Sequence, residues 1–97
     1  MNRLIVDVIL AQKKALRYTA AGIEALEVTF THESQQTEEG EARQVSFEIT
    51  AVAFGQMALA LQRVEEHKKL HCEGFLCRRS KTASTLRLHL TAFEVIE

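Results

Sequence analysis

Basic side chains are unevenly placed along this chain. Between Asp7 and Glu24 there is no acid, but there are Lys13, Lys14 and Arg17. Between Glu73 and Glu94 there is again no acid, but there are Arg78, Arg79, Lys81 and Arg87. These two windows hold seven of the twelve Lys and Arg residues, although the net charge is only −1. Segregated charge of this kind creates a local positive field that attracts a polyanion. A solvated loop explains either window alone. A binding surface requires a fold that brings the two together. The opposite bias occurs once, where Glu33, Glu38, Glu39 and Glu41 share a stretch with no base.

Other reactive types do not assemble into a catalytic motif. Ser34, Ser46, Ser80 and Ser84 stand in no nucleophile context, and no Gly-rich phosphate loop exists. His67, His71, Cys72 and Cys77 are spaced His-x₃-His-Cys-x₄-Cys, unlike the paired spacing of structural zinc sites. On a strand, the adjacent His71 and Cys72 point to opposite faces. No enzyme, metal or cofactor is expected. Among the rings, Phe30, Phe47, Phe54 and Phe93 read as core. Phe75 has the opposite parity from Leu76 and Cys72, and Tyr18 lies in a turn beside basic residues. These two are the candidate stacking platforms. The competing readings are a local register flip at Gly74 for Phe75, and a hydroxyl tied to a turn backbone for Tyr18.

A scaffold of 97 residues has room for one domain, spanning 1–97. With 46% hydrophobic and 26% charged residues the composition is that of an ordinary globular protein, which excludes a disordered tail or a collagen-like repeat. The longest apolar run, Leu4 to Ala11, is short and broken by Asp7, so no membrane span is expected. Without a signal-peptide pattern, the two cysteines read as reduced thiols in the cytoplasm.

Periodicity supplies the elements. Leu4, Val6, Val8 and Leu10 alternate in a first strand, and Ile5 and Ile9 make its second face partly apolar as well. Residues 18–22 read as a turn ending in Gly22. Leu26, Val28 and Phe30 face inward from a second strand, Ile23 to His32, with Glu27, Thr29 and Thr31 outward. The polar stretch from Glu33 to Ala42 reads as a hairpin connection. Val45, Phe47, Ile49 and Ala51 face inward from a third strand. The period then changes: Phe54, Met57, Ala58, Leu61 and Val64 form the apolar stripe of one short helix. Glu65 to Lys69 is a charged connection. Leu70, Cys72, Gly74 and Leu76 mark a fourth strand, with Gly74 suggesting a bulge or bend. Residues 78–85 form a basic loop. Leu86, Leu88 and Leu90 begin a fifth strand, whose apolar phase shifts near Thr91-Ala92. Five strands with a helix between the third and fourth define an all-β, five-stranded OB-fold barrel. Such barrels bind nucleic acids on the face of strands 2–3 and on the loops joining strands 1–2 and 4–5, where the two basic windows fall.

The chain resembles the primosomal replication protein N family, small relatives of bacterial single-stranded DNA-binding protein. The resemblance rests on Asn2-Arg3-Leu4, Arg17-Tyr18-Thr19 with Ala21-Gly22-Ile23, and His32-Glu33-Ser34 with Gln36, Glu38, Glu39 and Gly40. It continues through Arg43-Gln44, Glu73-Gly74-Phe75-Leu76, Leu88-His89 and Phe93-Glu94-Val95-Ile96. It implies a homodimer of OB-folds that binds single-stranded DNA and assists replication restart with the primosomal helicase. It also implies DNA contacts from the loop between strands 4 and 5, here Arg78, Arg79 and Lys81, assisted by aromatic residues. Some members carry Trp where this chain has Ser46. The expected interface is Lys13, Lys14, Arg17, Tyr18, Phe75, Arg78, Arg79, Lys81 and Arg87. Ile5 and Ile9 are the expected dimer contacts. The acidic hairpin is expected to repel DNA if it folds over the groove. It also favours an alternative, a protein-interaction adaptor with weak DNA binding.

Overall fold

The structure is a computed structural model that describes all 97 residues. Seven elements follow in chain order: β1 (Leu4–Lys13), β2 (Arg17–Tyr18), β3 (Glu24–Glu38), β4 (Glu41–Phe54), α1 (Gln56–Gln62), β5 (Lys69–Arg78) and β6 (Leu86–Val95). The five long strands run in the order β1-β5-β6-β4-β3, and pairing of β1 with β3 closes them into a barrel. β4 and β6 meet in parallel over two residue pairs, Ala51 with Leu88 and Val52 with His89. The other contacts between long strands are antiparallel. This is the OB-fold, with its helix between the third and fourth barrel strands. Within the first loop, β2 is a two-residue rung that pairs Arg17 with Ala25 and Tyr18 with Glu24. The sequence pattern places Tyr18 at the start of a turn, whereas the structure places it in this rung. That turn follows, closed by Gly22 at φ 80°.

Alternation fills the barrel. Val8 and Leu10, Leu26, Val28 and Phe30, Ala51 and Ala53, Leu70 and Cys72, and Leu88 and Leu90 form one buried cluster. Burying each of the larger side chains contributes roughly 1.5–3 kcal/mol. α1 closes one end of the barrel with Ala58 and Leu61, both fully buried. Phe54 is not part of its stripe. It ends β4, on the outer face and 39% exposed, because Gly55 breaks the chain between strand and helix at φ 63°. Cys72 is a core residue, and burial pushes its thiol up to about 12. His71, its neighbour, faces solvent and pairs with Asp7 (Nδ1 to Oδ1, 2.5 Å).

The fourth and fifth barrel strands carry the expected irregularity. Glu73 pairs with Ala92 but Gly74 pairs with Leu90, so Thr91 is an extra residue in β6. Its hydroxyl donates to the Glu73 carbonyl at 3.1 Å. This bulge is why the apolar phase shifts between Leu90 and Phe93. β5 and β6 approach so closely here that a Cβ on Gly74 would run into the His89 carbonyl oxygen. Gly74→Ala is therefore expected to destabilise the fold by about 1–3 kcal/mol or more, as overpacking does. An unchanged denaturation midpoint would contradict this.

The hairpin differs from expectation. Residues 33–42 are not a loop: β3 and β4 stay paired up to Glu38 and Glu41. The connection is only Glu39-Gly40, at φ 52° and 76°. Positive φ at both central residues is what a two-residue turn between twisted strands requires. The segment reads as polar because this arm stands off the barrel with both faces wet. For the same reason Phe47, though on the inward parity, is 39% exposed and stacks on His32 instead of entering the core (centroids 4.8 Å apart).

Candidate nucleic-acid interface

Strand register places a row of side chains across the outer face of the barrel. Glu27 on β3 opposes Val52 on β4, Val52 pairs with His89 on β6, and His89 pairs with Phe75 on β5. One step along, Arg17, Ala25 and Phe54 share the same face, as do Arg87 and Cys77. Phe75 lies parallel to His89, with centroids 4.9 Å apart and planes at 19°. Phe54 meets the other side of the row at 6.0 Å and 36°. The expected exposure of Phe75 holds, at 39%. Burial, and then the positive charge of Arg87, hold the His89 pKa below its ordinary value, so the ring is neutral at pH 7. The three rings offer one partly exposed aromatic strip.

Beside the rings, the two basic windows meet. Lys14 comes from the loop after β1, Arg79 from the loop after β5, and Arg87 from β6. All three point at the Glu27 carboxylate: Lys14 Nζ at 2.7 Å, Arg87 Nη1 at 3.6 Å and Arg79 Nη2 at 3.8 Å. With Arg17 they line a cleft of about 300 Å³. The hydrogen bond from Lys14 holds the Glu27 carboxyl below the usual carboxylate range. Burial opposes this, while attraction to Lys14, Arg79 and Arg87 adds to it. Glu27 is therefore ionised at neutral pH.

The other expected residues divide. Arg17, Arg78 and Lys81 are exposed and pair with no carboxylate. Tyr18 is 64% exposed beside Arg17, but it joins no ring stack. Lys13 does not join the group. It pairs with Val28 in the ladder, and its ammonium donates to the Gln62 and Val64 carbonyls at the end of α1 (2.8 and 2.6 Å). Arg79 is not free of acids, contrary to the sequence reading, because Glu27 reaches it from a distant strand. The rings also lie on the third, fourth and fifth barrel strands, not on the face of the second and third. Phe54, His89 and Glu27 were missed as site residues. Outward parity was the available signal for each, shared along its own strand with Val52, Arg87 and Thr29 respectively.

A second depression, of about 620 Å³, runs between β1 and the hairpin arm. Ile5 and Ile9 line it and remain 50% and 41% exposed. His32 spans it, with one ring nitrogen on the Asp7 carbonyl oxygen (2.6 Å) and the other on Ser34 (2.8 Å).

The profile of a family described as "another single-strand binding protein family" matches residues 2–92. The chain belongs to this family of OB-fold single-strand binding proteins. Its relatives are replication restart proteins PriB. That of Bordetella pertussis is 37% identical over 90 residues, covering 93% of this chain and 84% of the relative. The solved structure of PriB from Ralstonia solanacearum covers 100% of this chain and 99% of its own, at 34% identity and a TM-score of 0.92. The resemblance read from the sequence is thus borne out. The single-stranded DNA-binding protein of Thermus aquaticus shares the fold, at 19% identity and a TM-score of 0.79, with half of that longer chain covered.

Proposed function

We propose that this protein is a non-enzymatic single-stranded DNA-binding component of the replication-restart machinery, acting with the primosomal helicase. One observation carries the reading. Two acid-free basic segments, far apart in sequence, converge beside a row of three rings on one face of an OB barrel. Single strands are held by such a combination, with cations on phosphates and aromatic faces under bases. The relatives' names supply the replication-restart context. Anisotropy of labelled oligo-dT at two salt concentrations tests it. Binding that weakens as salt rises supports the reading, and absence of binding at low salt sinks it.

The working unit is proposed to be a homodimer. Ile5 and Ile9 leave an apolar strip on β1, and burying one isoleucine contributes roughly 1.5–3 kcal/mol. Two-fold symmetry doubles the number buried. Ile9→Arg is expected to yield monomers in light scattering while circular dichroism stays native. A wild type that scatters as a monomer contradicts this. The adaptor alternative draws on the hairpin arm, whose acidic tip is well placed to meet a basic partner. Titrating oligonucleotide with and without the helicase separates the two readings.

A further inference from the structure

We infer that Glu27 is a built-in competitor of DNA phosphate: its carboxylate occupies Lys14, Arg79 and Arg87 in the free protein and so sets the affinity for single strands. This deepens the DNA-binding reading and rests on it. Glu27 lies on the outer face, in the row that holds His89 and Phe75, where a solvent-facing strand has no packing need for a carboxylate. It is nevertheless only 8% exposed, because the basic side chains close over it.

The three contacts are unequal. Lys14 makes the short one, although its side chain is 65% exposed. Arg79 is 54% exposed and only 3.8 Å away, a loose pair that exchanges readily for another anion. Arg87 is fixed at the bottom, 16% exposed, with a buried Nε that has no partner. An incoming phosphate therefore finds Lys14 and Arg79 engaged but exposed, and must draw them from Glu27. The same carboxylate ties together the loops that follow β1 and β5, so the cleft is preformed at a cost in affinity. Arg17, Arg78 and Lys81 remain free of this competition.

Glu27→Gln keeps the shape and removes the charge. It is expected to bind oligo-dT about three- to tenfold more tightly at low salt, since two surface ion pairs are released. Its log–log salt slope should steepen by about 0.7 for each additional phosphate contact. Equal or weaker binding by a folded variant overturns the inference. If Glu27→Gln does not fold, because Arg87 is left buried without an anion, Glu27→Asp keeps the anion beside Arg87 and shortens its reach to Lys14 and Arg79. It should still bind more tightly than wild type, by a smaller factor. Binding at or below the wild-type level overturns the inference. The two readings fail separately: a wild type that ignores oligo-dT removes both, whereas a wild type that binds and a Glu27→Gln no tighter removes only this one.

Discussion

Replacing Arg78, Arg79 and Lys81 together by alanine is expected to lower affinity for oligo-dT by about one to three decades at low salt, and to flatten the log–log salt slope by about 2. Each neutralised phosphate of a single strand releases about 0.7 counterions, so three lost contacts account for that slope. Arg78 and Lys81 face no carboxylate and are available to phosphate without rearrangement. Losing Arg79 also leaves Glu27 less neutralised, adding a repulsive charge to the cleft. Sequence preference should not change, because phosphates carry no base identity. The fold should survive. The loop is closed by its own backbone, with the Arg79 N–H donating to the Thr85 carbonyl at 3.1 Å and the Ala83 N–H to the Ser80 carbonyl at 3.3 Å. An unaltered slope with native circular dichroism would move the site to Lys14 and Arg17.

Phe75→Ala should produce the second large effect, by a different route. Its ring is one of the two exposed ends of the Phe75–His89–Phe54 strip, and stacking on an aromatic ring is worth about 1–3 kcal/mol per base. Affinity should fall by about 5- to 150-fold. The salt slope should stay unchanged, because a ring neutralises no phosphate. That difference separates a stacking platform from a residue that merely shapes the basic loop. Phe75→Leu preserves much of the apolar contact with His89 but not the stacking face, and should lose most of the same affinity. Wild-type binding by both variants would show that no base stacks on Phe75.

The acidic hairpin illustrates how far reasoning from sequence reached. Residues 33–42 read as a connection because polar side chains on both strand faces erase the alternation that marks a half-buried strand. The backbone ladder that makes them a strand arm leaves no trace in side-chain type. The consequence is functional. Glu38 lies eleven residues beyond Glu27 on the same strand, or about 36 Å at the usual rise. Screening acts over about 8–10 Å in physiological salt, so the tip cannot repel DNA held near Glu27 on the same subunit. The sequence-based expectation of such repulsion is therefore withdrawn.

The order of elements along the chain, the helix position and the β5–β6 bulge were legible, because each writes a period or a phase shift into the apolar residues. Phe54 was misread because it falls on a helical spacing from Met57 and Leu61, and only the break at Gly55 assigns it to the strand. Lys13 and Lys14 were indistinguishable as adjacent bases. Strand parity and the open carbonyls of α1 send one to the helix end and the other to Glu27. That Glu27 would gather cations from three segments depended on register between strands distant in sequence, which no local pattern encodes.

Chemical-shift mapping of the isotopically labelled protein with oligo-dT tests the central claim most directly, because it reports which face meets the strand. Perturbations should concentrate on Phe75, His89, Lys14, Arg87 and the loop bases Arg78, Arg79 and Lys81, with Glu27 among them as its ion pairs are remade. The hairpin tip around Glu39-Gly40 and the β1 strip around Ile5 should stay unshifted. Perturbations confined to the hairpin arm or to β1, with the Phe75–His89 row silent, would contradict the account.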